Sequence, residues 1–497
     1  MSVTLGDLIE RLERERVRPS ATELSERDAS REITDLSADS RRVRPGTLFC
    51  AIRGTSGDGH HYLREAAAAG AVAALVEQRD PALDLPQIEV TDSRRAAAHA
   101  AAAFFADPWN DLALLGVTGT NGKTTTVWIL RHLLAGRGPA ASIGTLGVVG
   151  PAGEPLPGTE GLTTPGPIEL ARLIRRLADS GVEALAMEVS SHALQQARVA
   201  ALRYNVAIFT NLSRDHLDYH GSLERYRAAK LRLLELLAPD AAVVINGDDP
   251  AWTGIEPRTA RLVRFGVDEA AEVRAEEVAA VAEAVEWTLH TPSGSARVRL
   301  PLLGAYNVSN ALAAAAALWS LGWGAEEIAV RLGTVPQVPG RLERVPVTRG
   351  SPSVVIDFAH TPDALERALS TVRTGVRGRL IVVFGAGGDR DPGKRPEMGR
   401  AVARFADLAI VTSDNPRTED PGRIAEEIES GMGDAPRLRV LDRREAIRRA
   451  LAMGTEEDLI LLAGKGHESY QIWGDERRPF DERAVVREIL DAKDTER

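Results

Sequence analysis

Gly116-Val-Thr-Gly-Thr-Asn-Gly-Lys-Thr-Thr-Thr126 decides how this chain is read. The apolar run Leu112-Ala-Leu-Leu115 leads into it and a helical pattern follows, so a strand, a loop and a helix are predicted over 112–135. The Gly-Lys-Thr ending is that of a phosphate-binding loop, yet the common G-x-x-x-x-G-K-[ST] spacing would put its first glycine at Val117. Gly116, Gly119 and Gly122 stand three apart instead. A glycine-rich turn before a helix can be structure alone; between a strand and a helix, with Lys and Thr at its end, it predicts a nucleotide site. Backbone amides from Gly119, Thr120, Asn121 and Gly122 can face one anion. Lys123 can reach the terminal phosphates and Thr124 can bind Mg2+, with Thr125 completing the nucleotide set.

Outward from this loop the chain alternates strands and helices. Apolar strand signals at Ala184-Leu-Ala-Met187, Val206-Ala-Ile-Phe209 and Ala241-Ala-Val-Val-Ile245 lie close to helical patterns, implying a parallel sheet covered on both faces. Before the loop come short strands (46–52, 72–76) and alanine-rich runs (64–74, 95–103), read as closely packed helices. Ala106-Asp-Pro-Trp-Asn-Asp111 reads as a linker, and a second break falls near Val335-Pro-Gln-Val-Pro-Gly340. Beyond it, strands at 353–356, 380–384, 408–412 and 459–462 predict a separate doubly wound domain, with ligand residues at the carboxyl ends of its strands. The expected division is 1–107, 108–338 and 339–497.

The 497 residues carry 61 basic and 71 acidic side chains, a net charge of −10 with no Lys/Arg block, which argues against a nucleic-acid surface. A single cysteine, Cys50, excludes an internal disulfide and is expected to be buried packing in a reducing compartment. The N-terminus has no apolar signal region and no run of about eighteen apolar residues occurs, so a cytosolic protein without membrane contact is expected. Nothing in the pattern calls for more than a monomer.

Further candidates follow from the chemistry a bound nucleotide needs. Glu188 ends an apolar strand, where a carboxylate can reach Mg2+. Downstream, Asp215, His216, Asp218 and His220 fall within six residues. For His220 alone a helix cap or a hydrogen-bonded surface residue is the better reading; His216 in this company is a candidate metal ligand. Lys230, on a mixed helix, reads by itself as a surface lysine with its stem laid on apolar neighbours. Gly385-Ala-Gly-Gly-Asp-Arg-Asp391 does not fit a dinucleotide loop, because Arg390 stands where the last glycine of G-x-G-x-x-G belongs.

Taken together, GVTGTNGKTTT, EVSSHAL, FTNLSRDHLDYHG, GAYNVSNALAA, FAHTPDAL, FGAGGDRD, SDNPRTEDP and GKGHE resemble the ATP-dependent Mur ligases of peptidoglycan synthesis, over nearly the whole chain. The resemblance is closest to those adding the third residue of the stem peptide. It implies an α/β fold of three domains: an N-terminal α/β domain for the UDP substrate, a central ATPase on a P-loop-type parallel sheet, and a C-terminal Rossmann-like domain for the amino acid. It implies ATP-driven joining of a diamino acid to UDP-N-acetylmuramoyl-L-alanyl-D-glutamate through an acyl phosphate. A second Mg2+ would be held by His216 and a carbamylated Lys230. Asn307 and Asn310 would contact the nucleotide, though a helix N-cap is also a fair reading. Arg341, Asp357 and His360 would reach the same nucleotide from the C-terminal domain as it closes. The UDP substrate would meet Ala38, Ser40, Thr55, Ser56 and Gly57, then Thr163, Thr164, Ser190, Gln196 and Arg198. Leu162 departs from the family pattern, which has asparagine there.

The amino acid is also readable. Asp414-Asn415-Pro416-Arg417 ends a strand, and a guanidinium can grip the second carboxylate of meso-diaminopimelate bidentately, which lysine does not offer. In the resembling family this tetrapeptide marks diaminopimelate enzymes. Arg390 would also contact the amino acid, and Gly464 and Glu468 would hold its amine end. The rival expectations are a lysine-adding or D-alanyl-D-alanine-adding ligase, folylpolyglutamate synthetase, or a nucleotide switch without ligase chemistry.

Overall fold

The computed structural model describes residues 3–17, 25–54, 57–159, 161–257, 260–268, 270–281 and 284–495. Thr55 and Ser56 lie outside them. The described chain forms two compact units: Met1–Glu276 with Leu289–Ala296 and Ser309–Leu332, and Glu277–Thr288 with Arg297–Val308 and Gly333–Arg497.

The first unit carries two larger sheets beside a short antiparallel pair of Val3–Thr4 with Glu32–Ile33. Asp35–Ser37, Thr47–Cys50, Ala73–Val76 and Gln87–Glu89 pair in parallel, in chain order. Their core takes Leu48, Cys50, Leu75 and Ile88 from the sheet and Ala96, Ala97, Ala100 and Ala101 from the helix Ser93–Phe104. The small alanine face lets this helix lie close, and Ile168 and Ala171 of the helix Pro167–Asp179 join the same core. The alanine run at 64–74 is only partly helical: the helix Leu63–Ala68 gives way to the strand Ala73–Val76, because burial in the sheet overrides alanine's helix preference. Cys50 is free and fully buried, as the sequence suggests, and burial pushes its thiol up to about 12.

The supposed linker at 106–111 is packed structure. It forms a short 3-10 turn, Pro108–Asp111, with Trp109 in the central core. Asp107 takes a left-handed conformation and accepts both guanidinium nitrogens of Arg11, at 2.8 and 2.9 Å. A bidentate pair of this kind fixes direction as well as distance.

The larger sheet runs through 113–118 at its centre. Ala113–Thr118 pairs in parallel with Ala184–Glu188 on one side and Tyr204–Phe209 on the other; Ala140–Gly144 and Leu237–Asn246 extend it, also in parallel. Beyond Ala140–Gly144 the sheet turns antiparallel through Gly147–Val149 and Pro155–Leu156, so it is mixed and not purely parallel. The central strands are apolar on both faces, and each fully buried Leu or Val contributes about 1.5–3 kcal/mol. With strand direction fixed, Thr118, Glu188 and Phe209 all end at the same edge, where the loops that carry chemistry begin.

In the second unit Ser353–Asp357, Leu459–Ala463, Leu380–Phe384, Leu408–Val411 and Arg437–Arg439 pair in parallel in that spatial order, with Glu343–Val345 antiparallel at one edge. This is a doubly wound sheet; Asp357 ends its strand, and Gly385, Thr412 and Gly464 follow theirs directly, all at the carboxyl edge. A hairpin of Tyr470–Trp473 and Glu476–Pro479 follows. Among the described residues no helix is long and apolar enough to cross a membrane.

Candidate active site

The loop after Ala113–Thr118 is shaped by close approach. Gly119 has φ +150°, and a Cβ there would stand 1.9 Å from Thr210 Oγ1; Gly122 has φ +84° and opens the helix Lys123–Leu134, with Asn310 Oδ1 where a Cβ would go. The neighbouring strand end braces the loop. Thr120 N donates to Asn211 O at 2.7 Å, Asn121 N to Asn211 Oδ1 at 2.9 Å, and Thr210 Oγ1 to Asn121 O at 2.7 Å. Lys123 Nζ reaches back over the loop to the carbonyls of Gly119 and Thr120, at 3.0 and 2.8 Å. Thr124 and Thr125 are buried in the first turn of the helix. The result is a rigid cradle at a helix N-terminus with a lysine across it, which suits an anion.

Glu188 is buried, and both its oxygens face Thr145: the backbone amide donates to Oε1 at 2.8 Å and the hydroxyl to Oε2 at 3.2 Å. A Cβ on Gly144 would sit 2.4 Å from Oε1, so the carboxylate lies flat against that strand end. Glu188 and Thr124 line one small cavity of about 10 Å³. From Glu188 a chain of hydrogen bonds runs through the residues expected to meet the UDP substrate. Thr163 Oγ1 lies 3.3 Å from Thr145 Oγ1; Thr164 Oγ1 donates to the Glu188 carbonyl at 2.9 Å and Ser190 N to Thr164 Oγ1 at 3.2 Å. Arg198 donates to Thr164 O at 2.8 Å and twice to Gln196 Oε1, and Gln196 donates to Tyr219 OH at 3.1 Å. Thr163 is thus linked through Thr145 to the Glu188 carboxylate, and Thr164, Ser190, Arg198 and Gln196 form a network on the Glu188 backbone carbonyl. The helix after Thr163 and Thr164 begins at Pro167 with Gly166 as its cap.

Lys230 overturns its reading as a surface lysine. It is 1% exposed, lies 4.2 Å over the Tyr226 ring, and donates to Gly119 O at 2.7 Å, the same carbonyl that Lys123 uses. Burial first, and then the charge of Lys123, push its amine well below the ordinary lysine value, against the pull of Asp215. His216 is exposed, in a left-handed conformation, with its ring 4.8 Å from that of His192 and 6.3 Å from that of Tyr226. His220 is buried and not at the surface; its Nε2 lies 3.0 Å from Ser191 Oγ. His192, between them, is pushed down to about 4 by burial and by the two neighbouring imidazoles.

Within the same unit, Ser40 is buried at the start of a 3-10 turn capped by Asp39, Ala38 is exposed beside it, and Gly57 O accepts from Gly54 N at 2.7 Å. Leu162 is 45% exposed, an apolar side chain facing solvent. Asn310 and Asn307 both lie inside the helix Tyr306–Ser320, so neither caps it; Asn307 Nδ2 donates to Leu303 O at 2.7 Å.

In the second unit, Asp357 is buried and accepts the amides of Leu342 and Ala359, at 2.7 and 2.8 Å; burial pushes its carboxyl up against the opposing effects of Arg341 and the amides. Arg341 lies over the Phe358 ring, and His360 Nδ1 is 2.7 Å from Phe358 O. Two loops interlock nearby. A Cβ on Gly388 would be 1.9 Å from Pro416 O, and Arg417 donates to Gly388 O at 2.7 Å. Arg417 has φ +53° and exchanges backbone hydrogen bonds with the hairpin, its N–H to Ile472 O and its carbonyl from Gly474 N. A non-glycine residue held there is costly and persists where its surroundings fix it. Arg390 is exposed on the adjoining loop. Asp414, Asn415 and Glu468 converge on Lys465 Nζ, at 3.5, 2.9 and 2.7 Å, beneath Gly464.

Sequence reading missed Thr145, Tyr226 and Lys465. Lys465 lay between two residues already singled out in Gly464–Glu468, and that position was its only signal; Thr145 and Tyr226 carry no motif.

Three family profiles match the chain: the Mur ligase family catalytic domain over 32–105, the Mur ligase middle domain over 117–318, and the Mur ligase glutamate ligase domain over 340–466. The chain belongs to the Mur ligase family. Among its relatives is a protein of Geobacillus kaustophilus named UDP-N-acetylmuramoyl-L-alanyl-D-glutamate–2,6-diaminopimelate ligase, 46% identical over 468 residues, which cover 92% of this chain and 94% of the relative. A Xanthomonas campestris protein of the same name is 43% identical over 469 residues, 92% and 94% of the two chains. A solved structure of a ligase of that name superposes with a TM-score of 0.70 at 30% identity, covering 99% of this chain and 100% of the other.

Proposed function

We propose that this protein adds meso-2,6-diaminopimelate to UDP-N-acetylmuramoyl-L-alanyl-D-glutamate at the expense of ATP, a cytoplasmic step in the synthesis of peptidoglycan precursors. The observation that carries the reading is the convergence of Lys123 and Lys230 on the Gly119 carbonyl, with Glu188 beside Thr124. Transfer of a phosphoryl group onto a carboxylate brings two anions together, so charge neutralisation and alignment dominate the catalysis.

In this reading the loop amides of 119–122 and Lys123 hold the phosphates of ATP. A carboxylate of the dipeptide attacks the terminal phosphorus, the bond to ADP breaks, and an acyl phosphate forms. The amine of the diamino acid then attacks the acyl carbon, a tetrahedral intermediate collapses, phosphate leaves with the carbon–oxygen bonding pair, and the nitrogen loses a proton. Asn307, Asn310, Arg341, Asp357 and His360 are assigned to the nucleotide. Ala38, Ser40, Gly57, Thr163 and the network of Thr164, Ser190, Gln196 and Arg198 are assigned to the UDP substrate. The division 1–107, 108–338 and 339–497 assigns one substrate to each part.

Thr124, Glu188, His216 and Lys230 are the residues we assign to Mg2+. Among the described residues no group of three or more His, Cys, Asp or Glu is placed to hold a metal, and this set needs none, because two of its four members are a threonine and a lysine. Hydroxyl and carboxylate oxygens suit a hard cation. The buried Lys230 amine fits the role once carbamylated. Its lowered pKa favours the neutral form, whose nitrogen adds to the carbon of CO2; a carbon–oxygen π bond opens, a proton leaves, and an anionic oxygen donor results. Bound there, Mg2+ would offset phosphate charge.

Arg417, Arg390, Asp414, Asn415, Pro416, Gly464 and Glu468 are assigned to the amino acid. The test is phosphate release from ATP and the UDP-muramoyl dipeptide with meso-diaminopimelate, with L-lysine and with no acceptor, alongside product mass. Release that requires diaminopimelate, with a tripeptide mass, is expected. Preference for lysine would overturn the role of Arg417, and release indifferent to acceptor would overturn the ligase.

A further inference from the structure

Among the described residues, Lys465 touches three of those assigned to the amino acid. It is 0% exposed. Its ammonium has three donors, and three acceptors meet them: Glu468 Oε2 at 2.7 Å, Asn415 Oδ1 at 2.9 Å and Asp414 Oδ1 at 3.5 Å. Asn415 Nδ2 closes the ring by donating to Glu468 Oε2 at 3.0 Å, and Asn415 Oδ1 also takes the Ile472 amide at 3.0 Å. Burial of an ammonium is costly unless such partners are complete, so the arrangement is built and not incidental.

The backbone around it is shaped to the same end. Gly464 has φ +113°, and a Cβ there would stand 2.8 Å from Asp414 Oδ2. Behind it, buried Arg443 donates to the Ala463 carbonyl and to buried Glu482, both at 2.8 Å, which fixes the strand end from which Lys465 projects.

We infer that Lys465 is a positioning residue for the amino-acid acceptor: it clamps Asp414, Asn415 and Glu468 into one anionic edge that receives the acceptor's ammonium group. Two carboxylates and one ammonium leave a formal charge of −1, which an incoming ammonium neutralises. Glu468 Oε2 is taken by Lys465 and Asn415, while the side chain keeps 18% exposure and Oε1 has only the Tyr470 hydroxyl, at 3.3 Å. Among the described contacts that oxygen is the less engaged of the two Glu468 oxygens, and it is the one we place against a ligand. Without Lys465 the two carboxylates would repel, and the edge would open. The inference rests on the diaminopimelate reading above and adds a residue and a role to it.

The test is steady-state kinetics of the full-length enzyme with Lys465→Met, measuring KM for meso-diaminopimelate, ATP and the UDP-muramoyl dipeptide separately. The expected result is a rise of about tenfold or more in KM for the amino acid, with the other two KM values within about twofold and kcat changed less than KM. A pH series separates positioning from general damage. Burial would raise the Glu468 pKa, but the charge and hydrogen bond of Lys465, with Asn415, outweigh it and hold the carboxyl low. The other groups around this edge are Asp414, His467, Tyr470, Arg477 on Tyr470, and the Arg443–Glu482 pair. In the variant Glu468 protonates at higher pH, so the amino-acid KM defect is expected to be larger at pH 6.5 than at pH 9. Equal rises in all three KM values, an unchanged amino-acid KM, or a defect of the same size at both pH values would overturn the inference. Lys465→Gln, which keeps one donor toward Glu468, carries the same comparison if the methionine variant does not fold. Wild-type enzyme run in parallel separates the two claims: no use of diaminopimelate there sinks the reading and the inference together, whereas diaminopimelate-dependent wild type with an unaffected variant sinks only the role of Lys465.

Discussion

Lys230 and Lys465 are both buried, and their surroundings differ in kind. Lys230 meets one carbonyl oxygen, an aromatic ring and a second lysine. Lys465 meets two carboxylates and an amide oxygen. The first environment penalises the charged form and leaves an amine suited to reaction. The second keeps an ion-paired strut between groups that would otherwise repel. Burial alone therefore does not assign a lysine its role; its partners do.

This contrast can be broken most forcefully at the phosphate loop. Lys123→Ala removes the cation that shares the Gly119 carbonyl with Lys230, and kcat should fall about 1,000-fold in the phosphate-release assay, the scale of losing one fixed charge-stabilising donor. A loss under tenfold would mean that Lys123 does not hold the transferring phosphate. Next in size are the stabilities. Lys465→Met leaves two carboxylates without their cation and should cost about 3 kcal/mol in denaturant unfolding.

Lys230→Met should move the other way, by about 1 kcal/mol, because Lys123 still serves the Gly119 carbonyl and a poorly solvated amine is gone. The sign with pH follows from linkage. The folded-state pKa of Lys230 is depressed, so between that value and the ordinary lysine value the unfolded chain binds more protons, and wild-type stability rises with pH. The advantage of Lys230→Met is thus greatest at low pH in CO2-depleted buffer and fades as pH climbs toward the ordinary lysine range. A stabilisation independent of pH would contradict the account of Lys230.

A smaller effect tests the specificity end. Arg417→Lys keeps the charge but loses the planar fork, and should raise KM for meso-diaminopimelate by about tenfold while leaving KM for ATP in place. Smallest is a surface control. Arg137 and Glu327 form an exposed pair, and Glu327→Gln should alter stability by less than about 0.5 kcal/mol and activity not at all.

The contrast also explains what the sequence could and could not disclose. The shape of the loop at 119–122 was legible because it is set by backbone: glycine positions, a strand before and a helix after are all written locally. The strand-end position of Glu188 was legible because it closes an apolar strand, and four of the five parallel strands of the second unit because continuous Val, Ile and Leu runs admit little else; the fifth, Arg437–Arg439, has no such run. Lys230 was not legible from its helix, where the pattern YRAAKLRLL offers no apolar stripe; its burial arises from Gly119 and Tyr226, and the contact with Gly119 spans 111 positions of sequence. Trp109 was misread for a similar reason: Pro108 and its polar neighbours mark a break in secondary structure, which does not prevent the tryptophan from entering a core. Side chains whose roles depend on distant partners are invisible to local periodicity.

The central claim, that these two buried lysines differ in kind, is tested most directly by carbon-13 NMR of the enzyme equilibrated with labelled bicarbonate. The account predicts a lysine carbamate signal in wild type and Lys465→Met that vanishes in Lys230→Met. A signal that persists without Lys230, or that depends on Lys465, would contradict it.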